Sequence, residues 1–263
     1  MDPRDFVRAE VRRNEDLGAQ CHLLELLVPA SFPTASVRAG QFVMLRGPWD
    51  THPMLPRAFS LLEATPGRLR LLNKVVGRGT RRVAALSEGE SVTVLGPLGT
   101  PFPAPRPGVP QILVGGGSGI PPLYLQARQA RQADPQAAVE IIYGGRTAAD
   151  LVLLSRVESL GVPVQACTDD GSRGLKGQVT AALEPRLAAL PEAEVLACGP
   201  LPMLRAIQTQ CRTSGHRCLL SLETEMACGV GICRGCMVRR ADGEGYLCTC
   251  LDGPVVSGEE VEL

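Results

Sequence analysis

The feature that most constrains this chain is a run of cysteines near its C-terminal end. Cys228, Cys233 and Cys236 are followed by two more cysteines, Cys248 and Cys250. A C-x4-C-x2-C spacing with a more distant cysteine is typical of plant-type [2Fe–2S] sites. Structural zinc favours paired C-x2-C knuckles, and only one pair here has that spacing. The pattern therefore predicts a [2Fe–2S] site held by the first three cysteines and one of the last two, and spacing alone leaves the fourth ligand open.

The loop that carries these cysteines also contains Gly229, Gly231 and Gly235. Glycine adopts backbone conformations that other residues avoid, so such a loop is able to fold tightly around a cluster. Its amide groups are expected to point at the sulfurs and to offset the negative charge of the cluster. The other cysteines are scattered and are expected to be small buried apolar residues. They are Cys21, Cys167, Cys198, Cys211 and Cys218.

Charge and hydropathy narrow the class of protein. Lysine plus arginine number 27, as do aspartate plus glutamate, so the charge gives no support for nucleic acid or an anionic membrane as a partner. The N-terminal segment carries charges where a signal peptide needs an apolar run. No stretch approaches the roughly 18–20 apolar residues that span a bilayer. We therefore expect a cytoplasmic protein, in which clustered cysteines bind metal more often than they form disulfides.

The first hundred residues are predicted to form β structure. Apolar segments of strand length alternate there with Gly and Pro turns, which is typical of a barrel or a sandwich. The predicted strands span residues 21–30, 40–46, 57–64, 68–76 and 89–99. A proline-rich stretch at 101–110 then predicts a linker between domains.

Strands and helices alternate from residue 111 onward, which predicts a parallel sheet covered on both faces. Strands are expected at 112–117, 139–145, 163–168, 194–200 and 217–223, and helices at 121–133, 150–161, 179–190 and 202–215. The tail from about residue 224 is too short for a core of its own, so we expect a metal centre to hold it together.

A glycine-rich turn follows the first strand of this second region. Its residues are Gly115, Gly116, Gly117, Ser118, Gly119 and Ile120. Between a strand and a helix, such glycines let a pyrophosphate approach the backbone, and the helix supplies N–H donors. The strict G-x-G-x-x-G fingerprint is absent, so a simple packing turn is the alternative. Cys198, Gly199 and Pro200 end another strand at the edge where a parallel sheet binds ligands, and Cys198 faces either a nicotinamide or the core.

Two segments of the first region have the chemistry to hold a flavin nucleotide. Arg57 begins a predicted strand, and its guanidinium can bind a pyrophosphate while the hydroxyl of Ser60 bonds a ring edge. On these residues alone, a solvated strand face is the other interpretation. The turn from Gly77 to Thr80 offers amide groups that form a nest for an anion.

Together these motifs resemble the ferredoxin–NADP reductase superfamily, and within it the electron-transfer subunits of class 1B dihydroorotate dehydrogenases. The resemblance runs essentially from end to end. Its most specific motifs lie at 221–236 and 250–255, and more widely shared ones lie at 57–60, 75–80, 96–99, 115–123, 168–172 and 198–200. The chain departs from the subfamily pattern at Ala58 and Phe59 and has an extra cysteine at position 248.

The resemblance implies three domains. They are an antiparallel Greek-key FAD-binding β-barrel at 1–103, a parallel-sheet NAD-binding α/β domain at 104–217 and a small [2Fe–2S] domain at 218–263. The resemblance also implies a partner, an FMN-containing catalytic subunit that oxidises dihydroorotate in pyrimidine biosynthesis, in a heterotetramer with two of each chain. Electrons from that partner would reach NAD+ by way of the [2Fe–2S] cluster and FAD.

Individual residues follow from the same resemblance. The implied flavin contacts are Arg57, Ala58, Phe59, Ser60, Leu72, Asn73, Lys74, Gly79 and Thr80. In the family the fourth iron ligand precedes an x-Asp-Gly-Pro turn, which selects Cys250. No acid–base pair stands out around His22, His52 or His216, so we expect no catalytic residue in this chain and substrate chemistry in the partner.

Two other functions are possible on the sequence. A related reductase subunit could serve another partner, such as a sulfite reductase or a hydrogenase, although the Cys-Leu-Asp-Gly-Pro tail argues against it. The second alternative is a zinc-stabilised interaction module with a relic nucleotide fold. Colour distinguishes the two, because a zinc protein is colourless and a flavin iron–sulfur protein is yellow-brown. We expect NAD rather than NADP as the nucleotide. Arg146 could reach a 2′-phosphate, with a solvated arginine as the alternative.

Overall fold

The computed structural model describes residues 6–49 and 53–263. Residues 1–5, which belong to the segment used to argue against a signal peptide, and His52 lie outside the described residues. Within the described part, the chain forms a closed antiparallel barrel, a mainly parallel sheet and a small C-terminal hairpin. The predicted combination of barrel, α/β domain and small cluster domain is confirmed.

The barrel has six strands in the order β1-β2-β5-β4-β3-β6. They are β1 (Val7–Gly18), β2 (Cys21–Leu27), β3 (Phe42–Arg46), β4 (Arg57–Thr65), β5 (Arg68–Lys74) and β6 (Ser91–Leu98). The sequence analysis missed β1, because charged residues alternate with apolar ones along it and only Val7, Ala9 and Val11 are buried. A short helix, α1 (Arg78–Ala84), follows β5 and was also missed.

The second sheet has seven strands in the order β10-β9-β8-β7-β11-β12-β15, all parallel except the edge strand β15. The strands are β7 (Gln111–Gly116), β8 (Val139–Gly145), β9 (Val164–Thr168), β10 (Leu175–Lys176), β11 (Glu194–Cys198), β12 (Cys218–Ser221) and β15 (Val255–Ser257). The helices are α2 (Ile120–Ala133), α3 (Leu154–Glu158), α4 (Val179–Ala189) and α5 (Leu201–Ser214).

Two details differ from the expectation. The helix expected at 150–161 is reduced to α3, because a 3-10 turn at Ala148–Asp150 ends where that segment begins and residues 151–153 form an irregular turn before the helix. Strand β12 begins at Cys218, in the region predicted as the cluster domain, but it pairs with β11 of the parallel sheet. The parallel sheet therefore includes strands on both sides of the predicted domain limit at residue 217. The domain limits 1–103, 104–217 and 218–263 stay a prediction.

A buried carboxylate joins the barrel to the second domain. Glu63 on β4 is 7% exposed and accepts a hydrogen bond of 2.9 Å from the hydroxyl of Tyr124 on α2. It also pairs with Arg70 at 2.8 Å, Arg156 at 3.2 Å and Arg128 at 3.6 Å. Because Arg70 belongs to the barrel and the others to α2 and α3, this network fixes the relative position of the two domains.

The C-terminal segment folds back on the barrel. Strands β13 (Met237–Arg239) and β14 (Tyr246–Cys248) form a hairpin, and the cysteines around it pack against Phe42, Met44 and Leu95. Strand β15 then returns to the parallel sheet beside β12. Among the described residues, no helix has the length and apolar character needed to cross a membrane.

Candidate cofactor-binding sites

Two cavities lie side by side between the domains. The first, of about 430 Å³, lies between the barrel and the segment that follows β12. The second, of about 420 Å³, lies at the carboxyl ends of β7 and β8, on the side of the sheet where parallel strands bind ligands. Lys74 and Ser118 line both cavities. Molecules bound in the two cavities would therefore meet near these two side chains.

The barrel wall of the first cavity carries most of the predicted flavin contacts. The lining residues from that set are Ala58, Phe59, Ser60, Leu72, Lys74 and Thr80. Asn73 is fully buried beside them, and its amide nitrogen donates to the carbonyl of Thr80 at 2.9 Å. The hydroxyl of Thr80 accepts hydrogen bonds from the amides of Val76 at 2.9 Å and Gly77 at 3.1 Å. Asn73 and Thr80 thus hold the shape of the predicted anion-binding turn.

Arg57 lies against the backbone of Gly79 at the edge of this turn. A Cβ atom at position 79 would lie 2.7 Å from Cζ of Arg57, so only glycine leaves room for the guanidinium. One guanidinium nitrogen donates to the carbonyl of Leu55 at 2.7 Å, which fixes the orientation of the side chain. The half-buried cation and the adjacent backbone amides form an arrangement that fits a pyrophosphate.

The opposite wall of the first cavity was missed by the sequence analysis. It consists of Ser221, Leu222, Glu223, Thr224, Glu225 and Met226, with Phe42, Pro121 and Pro254 nearby. The hydroxyl of Thr224 is buried and has no hydrogen-bond partner within the described part of the chain. Glu223 opens onto the cavity, and its desolvation by the surrounding protein raises its pKa. The motif at 221–226 was recognised in the sequence, but its role as a wall depends on long-range packing.

The glycine-rich turn forms one wall of the second cavity. Gly116, Gly117, Ser118 and Pro200 line the cavity. Gly115, Gly119, Ile120, Cys198 and Gly199 do not line it, and all five are buried. A Cβ atom at Gly119 would lie 2.6 Å from the carbonyl carbon of Cys198, so this glycine lets the turn pack on the end of β11. Gly199 similarly approaches Gly116, with a virtual Cβ 3.1 Å from its Cα.

A buried tyrosine supports the glycine-rich turn from below. Tyr143 on β8 has no exposed surface, and its hydroxyl donates to the carbonyl of Gly117 at 3.2 Å. Burial raises the pKa of Tyr143, which keeps the hydroxyl protonated as a donor. Because Gly117 has a φ of +51°, this hydrogen bond helps to hold a backbone conformation that most residues avoid. This role of Tyr143 is not predictable from the sequence, in which Tyr143 is one of several apolar residues of a strand.

The far end of the second cavity is lined by charged residues. Arg146 is 81% exposed and lies 3.5 Å from a carboxylate oxygen of Asp150. Asp169, after β9, lines the same cavity. Asp150 and Asp169 therefore line the same cavity as Arg146, the residue that could reach a 2′-phosphate.

Three cysteine sulfurs converge under the C-terminal hairpin. The Sγ atom of Cys248 lies 3.6 Å from that of Cys236 and 3.7 Å from that of Cys250, and all three lie within 4.8 Å of one another. The amide of Gly231 donates to Sγ of Cys250 at 3.1 Å. Burial raises the pKa of the Cys250 thiol.

The other two predicted ligands lie on the outer part of the loop. Sγ of Cys228 accepts hydrogen bonds from the amides of Cys233 at 3.4 Å and Val230 at 3.5 Å. Burial opposes ionisation of Cys228, but these amides outweigh it and lower its pKa to about 7. Cys233 is exposed. Thiolates supported by backbone amides are the donor set that an iron–sulfur cluster requires.

The backbone of this loop departs in one place from the expectation. Gly229 and Gly231 have φ of +72° and +78°, but the third positive φ in the loop, +54°, belongs to Arg234 rather than to Gly235. The expectation for the scattered cysteines is confirmed, because Cys21, Cys167, Cys198, Cys211 and Cys218 are all buried. Cys21 also lines the second cavity.

Comparison with known proteins gives two family matches. Residues 223–262 match the iron-sulfur cluster binding domain of dihydroorotate dehydrogenase B. Residues 113–209 match an oxidoreductase NAD-binding domain.

Whole-chain relatives carry related names. A dihydroorotate dehydrogenase B (NAD(+)) electron transfer subunit homolog of Aquifex aeolicus (strain VF5) is 35% identical over 258 residues, which is 98% of both chains. The dihydroorotate dehydrogenase B (NAD(+)) electron transfer subunit of Bacillus caldolyticus is 38% identical over 230 residues, covering 85% of this chain and 86% of that one. Among solved structures, an NADH-dependent reduced ferredoxin–NADP oxidoreductase studied for flavin-based electron bifurcation aligns with a TM-score of 0.83 and 28% identity, over 96% of this chain and 89% of that one.

Proposed function

The chain belongs to the family of dihydroorotate dehydrogenase B electron transfer subunits, and from this membership we propose that it carries electrons between a dihydroorotate-oxidising partner subunit and NAD in pyrimidine biosynthesis. The observation that carries the proposal is the contact between three sites. The first cavity borders the glycine-rich turn through Ser118 and borders the cysteine loop through Met226. A chain that only stored a nucleotide or only held a metal would have no need for this arrangement.

The cofactors that fit these sites are FAD, NAD and a [2Fe–2S] cluster. When bound, a flavin exchanges hydride with a nicotinamide and single electrons with an iron–sulfur cluster, so its place is between them. The first cavity lies between the other two sites, which supports its assignment to FAD. The hydroxyl of Thr224, which has no hydrogen-bond partner among the described residues, and the guanidinium of Arg57 over Gly79 fit a ligand rich in hydrogen-bonding groups.

We assign the binding residues as follows. Arg57 and the turn it touches hold the FAD pyrophosphate, and the remaining barrel residues of the first cavity contact the isoalloxazine ring. Gly116, Gly117 and Ser118 face the NAD pyrophosphate, while Gly115, Gly119, Ile120, Cys198, Gly199 and Pro200 shape the turn and its support. Cys228, Cys233, Cys236 and Cys250 are the proposed cluster ligands.

An apolar layer separates the cysteine sulfurs from the first cavity. Phe42, Ala58 and Met226 line the cavity and also pack in the apolar group that includes Cys236, Cys248 and Cys250. On adjacent strands, Met44 pairs with Ala58 and Phe42 pairs with Ser60, so one face of β3 and β4 spans the gap. In this assignment the two redox sites lie on the two sides of a single, largely apolar side-chain layer.

The outer face of the cysteine loop suits a protein partner. Ile232 is 81% exposed and Leu251 is 51% exposed, beside the exposed Cys233. Leu251 packs over Gly231, the residue before Ile232, so both exposed apolar side chains lie close to the cysteine loop. We propose that an FMN-containing catalytic subunit docks here, in a cytoplasmic heterotetramer with two of each chain, and that NAD(H) is the nucleotide used.

A related function with another partner is the second candidate. It is favoured by the likeness to the NADH-dependent reduced ferredoxin–NADP oxidoreductase, which spans nearly the whole chain. The experiment that separates the two is co-purification from the native host followed by cofactor analysis. Recovery of a dihydroorotate-oxidising FMN subunit supports the first function, and recovery of a different redox protein in its place supports the second.

A further inference from the structure

The proposed cluster uses four of the five cysteines near the C-terminal end. The fifth, Cys248, has 1% of its surface exposed and lies between two proposed ligands. Its Sγ is 3.6 Å from that of Cys236 and 3.7 Å from that of Cys250. Two thiolates on one tetrahedral metal, at bonds of about 2.3 Å, lie roughly 3.8 Å apart. Cys248 is therefore at the separation from Cys236 that two ligands of one metal ion require.

Local structure holds both thiols on the same side of the turn. The amide of Cys248 donates to the carboxylate of Asp252 at 2.7 Å, and the amide of Thr249 donates to the carbonyl of Cys236 at 3.0 Å. The amides of Leu251 and Asp252 both donate to the carbonyl of Cys248 at 2.8 Å. These bonds fix the turn from both ends, so either thiol reaches the metal held by Cys236 without a change of fold.

The two thiols differ in what supports their sulfurs. Sγ of Cys250 accepts a hydrogen bond from the amide of Gly231, as expected for a resident thiolate ligand. Within the described residues, the hydrogen-bond partners of Cys248 Sγ are the sulfurs of Cys236 and Cys250, and no backbone amide donates to it. Cys250 is therefore the better-supported ligand, and Cys248 is the second candidate for the same coordination position.

We propose that Cys248 is a reserve ligand that replaces Cys250 at the iron held by Cys236 when Cys250 is lost or modified. The inference rests on the proposed [2Fe–2S] site. The exchange involves no net redox change, because the thiolate of Cys248 takes the iron coordination position that Cys250 no longer fills, and the proton of Cys248 passes to solvent. The alternative is that Cys248 is an ordinary buried residue that packs against Phe42 and Met44.

The test compares Cys250→Ala, Cys248→Ala and the double variant in the full-length protein. Alanine is used because a serine oxygen could itself bind iron. Cys167→Ala is the matched control, since Cys167 is a buried thiol in the parallel sheet far from the cysteine loop. Iron and sulfide content, visible circular dichroism and the electron paramagnetic resonance of the reduced cluster are measured, with FAD content as a check on folding.

We expect Cys250→Ala to lose less than about twofold in iron and sulfide and to show shifted g-values, while the double variant loses the cluster completely. Cys248→Ala keeps iron and sulfide through Cys250. If Cys250→Ala retains FAD but loses iron as the double variant does, Cys248 is no reserve ligand. If Cys250→Ala also loses FAD, Cys250→Val, which fills the space with a side chain that has no atom to bind iron, decides by the same criterion. Loss of the cluster in Cys248→Ala alone also overturns the proposal, and a wild-type protein without sulfide overturns the [2Fe–2S] site itself.

Discussion

At the scale of single residues, Arg57 is the side chain on which the flavin assignment depends most. Its guanidinium is held by the carbonyl of Leu55 and lies on the backbone of Gly79. We expect Arg57→Ala to lose most of its FAD, because the pyrophosphate loses its bidentate cationic partner. The cysteine site is remote from this change and should keep its iron. FAD absorbance and iron content of the purified variant check both expectations.

The control for Arg57→Ala is Arg13→Ala. Arg13 lies on the same barrel but is exposed, and its one ion pair among the described residues is with Glu15, at 3.2 Å. Its removal should leave FAD content unchanged, since exposed ion pairs contribute about 0–1 kcal/mol. FAD occupancy equal to wild type in Arg57→Ala would show that the pyrophosphate lies elsewhere.

Residues whose chemistry is written in a local motif were predictable, and residues that depend on long-range packing were not. The turn at Gly116 and Gly117 follows a strand and opens a helix, so the sequence alone predicts it as a nucleotide site. Thr224 reaches the first cavity, and Tyr143 supports the glycine-rich turn, only because distant segments fold together, so the sequence does not reveal either role. Arg234 takes the left-handed conformation expected of Gly235, which residue type alone does not reveal.

At the scale of elements, the contact between the cysteine loop and strand β3 brings the metal site to the barrel. Gly229 has a φ of +72°, and a Cβ atom there would lie 2.5 Å from Cγ of Met44. We expect Gly229→Ala to push the loop away from β3 and to reduce iron and sulfide content severalfold. FAD should remain bound, because the flavin wall on β4 and β5 is untouched.

The matched control lies in the same loop. Gly235 lies outside the left-handed region, and a Cβ atom there would meet only Sγ of Cys233, at an ordinary 3.6 Å. Gly235→Ala should therefore keep the wild-type cluster content. Equal iron content in the two variants would mean that the close approach to Met44 is not required.

The joint between the domains is a second element-scale feature, centred on Glu63. Replacing one partner of a buried network leaves the others without compensation. We expect Glu63→Gln to lower the free energy of unfolding by about 2 kcal/mol. We also expect it to slow hydride transfer from NADH, because the network no longer fixes the position of one cavity relative to the other. Chemical denaturation and single-turnover FAD reduction measure the two effects.

Glu15→Gln serves as the comparison for Glu63→Gln, because Glu15 is a partly exposed barrel carboxylate with one exposed partner. It should change neither quantity. An unchanged rate of FAD reduction in Glu63→Gln, together with a lower stability, would limit the network to a purely structural role.

Strand prediction succeeded for elements with continuous apolar runs and failed for β1. That strand buries only alternate residues near its start and exposes charged ones, so its period-two pattern is short. The helix containing α3 was predicted to start too early, because the apolar residues 151–153 extend its pattern but form a turn after the 3-10 segment capped by Thr147. Partial burial determines β1 and local capping determines the start of α3, and average hydropathy reveals neither of them.

At the scale of the whole molecule, the charges of the second cavity predict its nucleotide. Arg146 is already paired with Asp150, and Asp169 adds a second carboxylate to the wall. A 2′-phosphate bound beside Arg146 meets these two carboxylates, whereas the other cation of the cavity, Lys74, lies where the two cavities meet. We expect kcat/KM for NADH to exceed that for NADPH by about tenfold or more, and Asp169→Asn to narrow the ratio. Equal or reversed values would contradict the NAD assignment, and Arg146 would then be the first residue to replace.

The central claim is that this chain connects dihydroorotate oxidation in a partner with NAD. The most direct measurement is NADH formation after anaerobic addition of dihydroorotate and NAD+ to the chain co-purified with its FMN subunit, compared with the FMN subunit alone. The account predicts NADH formation by the complex and none by the FMN subunit alone. A stable complex that contains FAD, iron and sulfide but forms no NADH from dihydroorotate would contradict it.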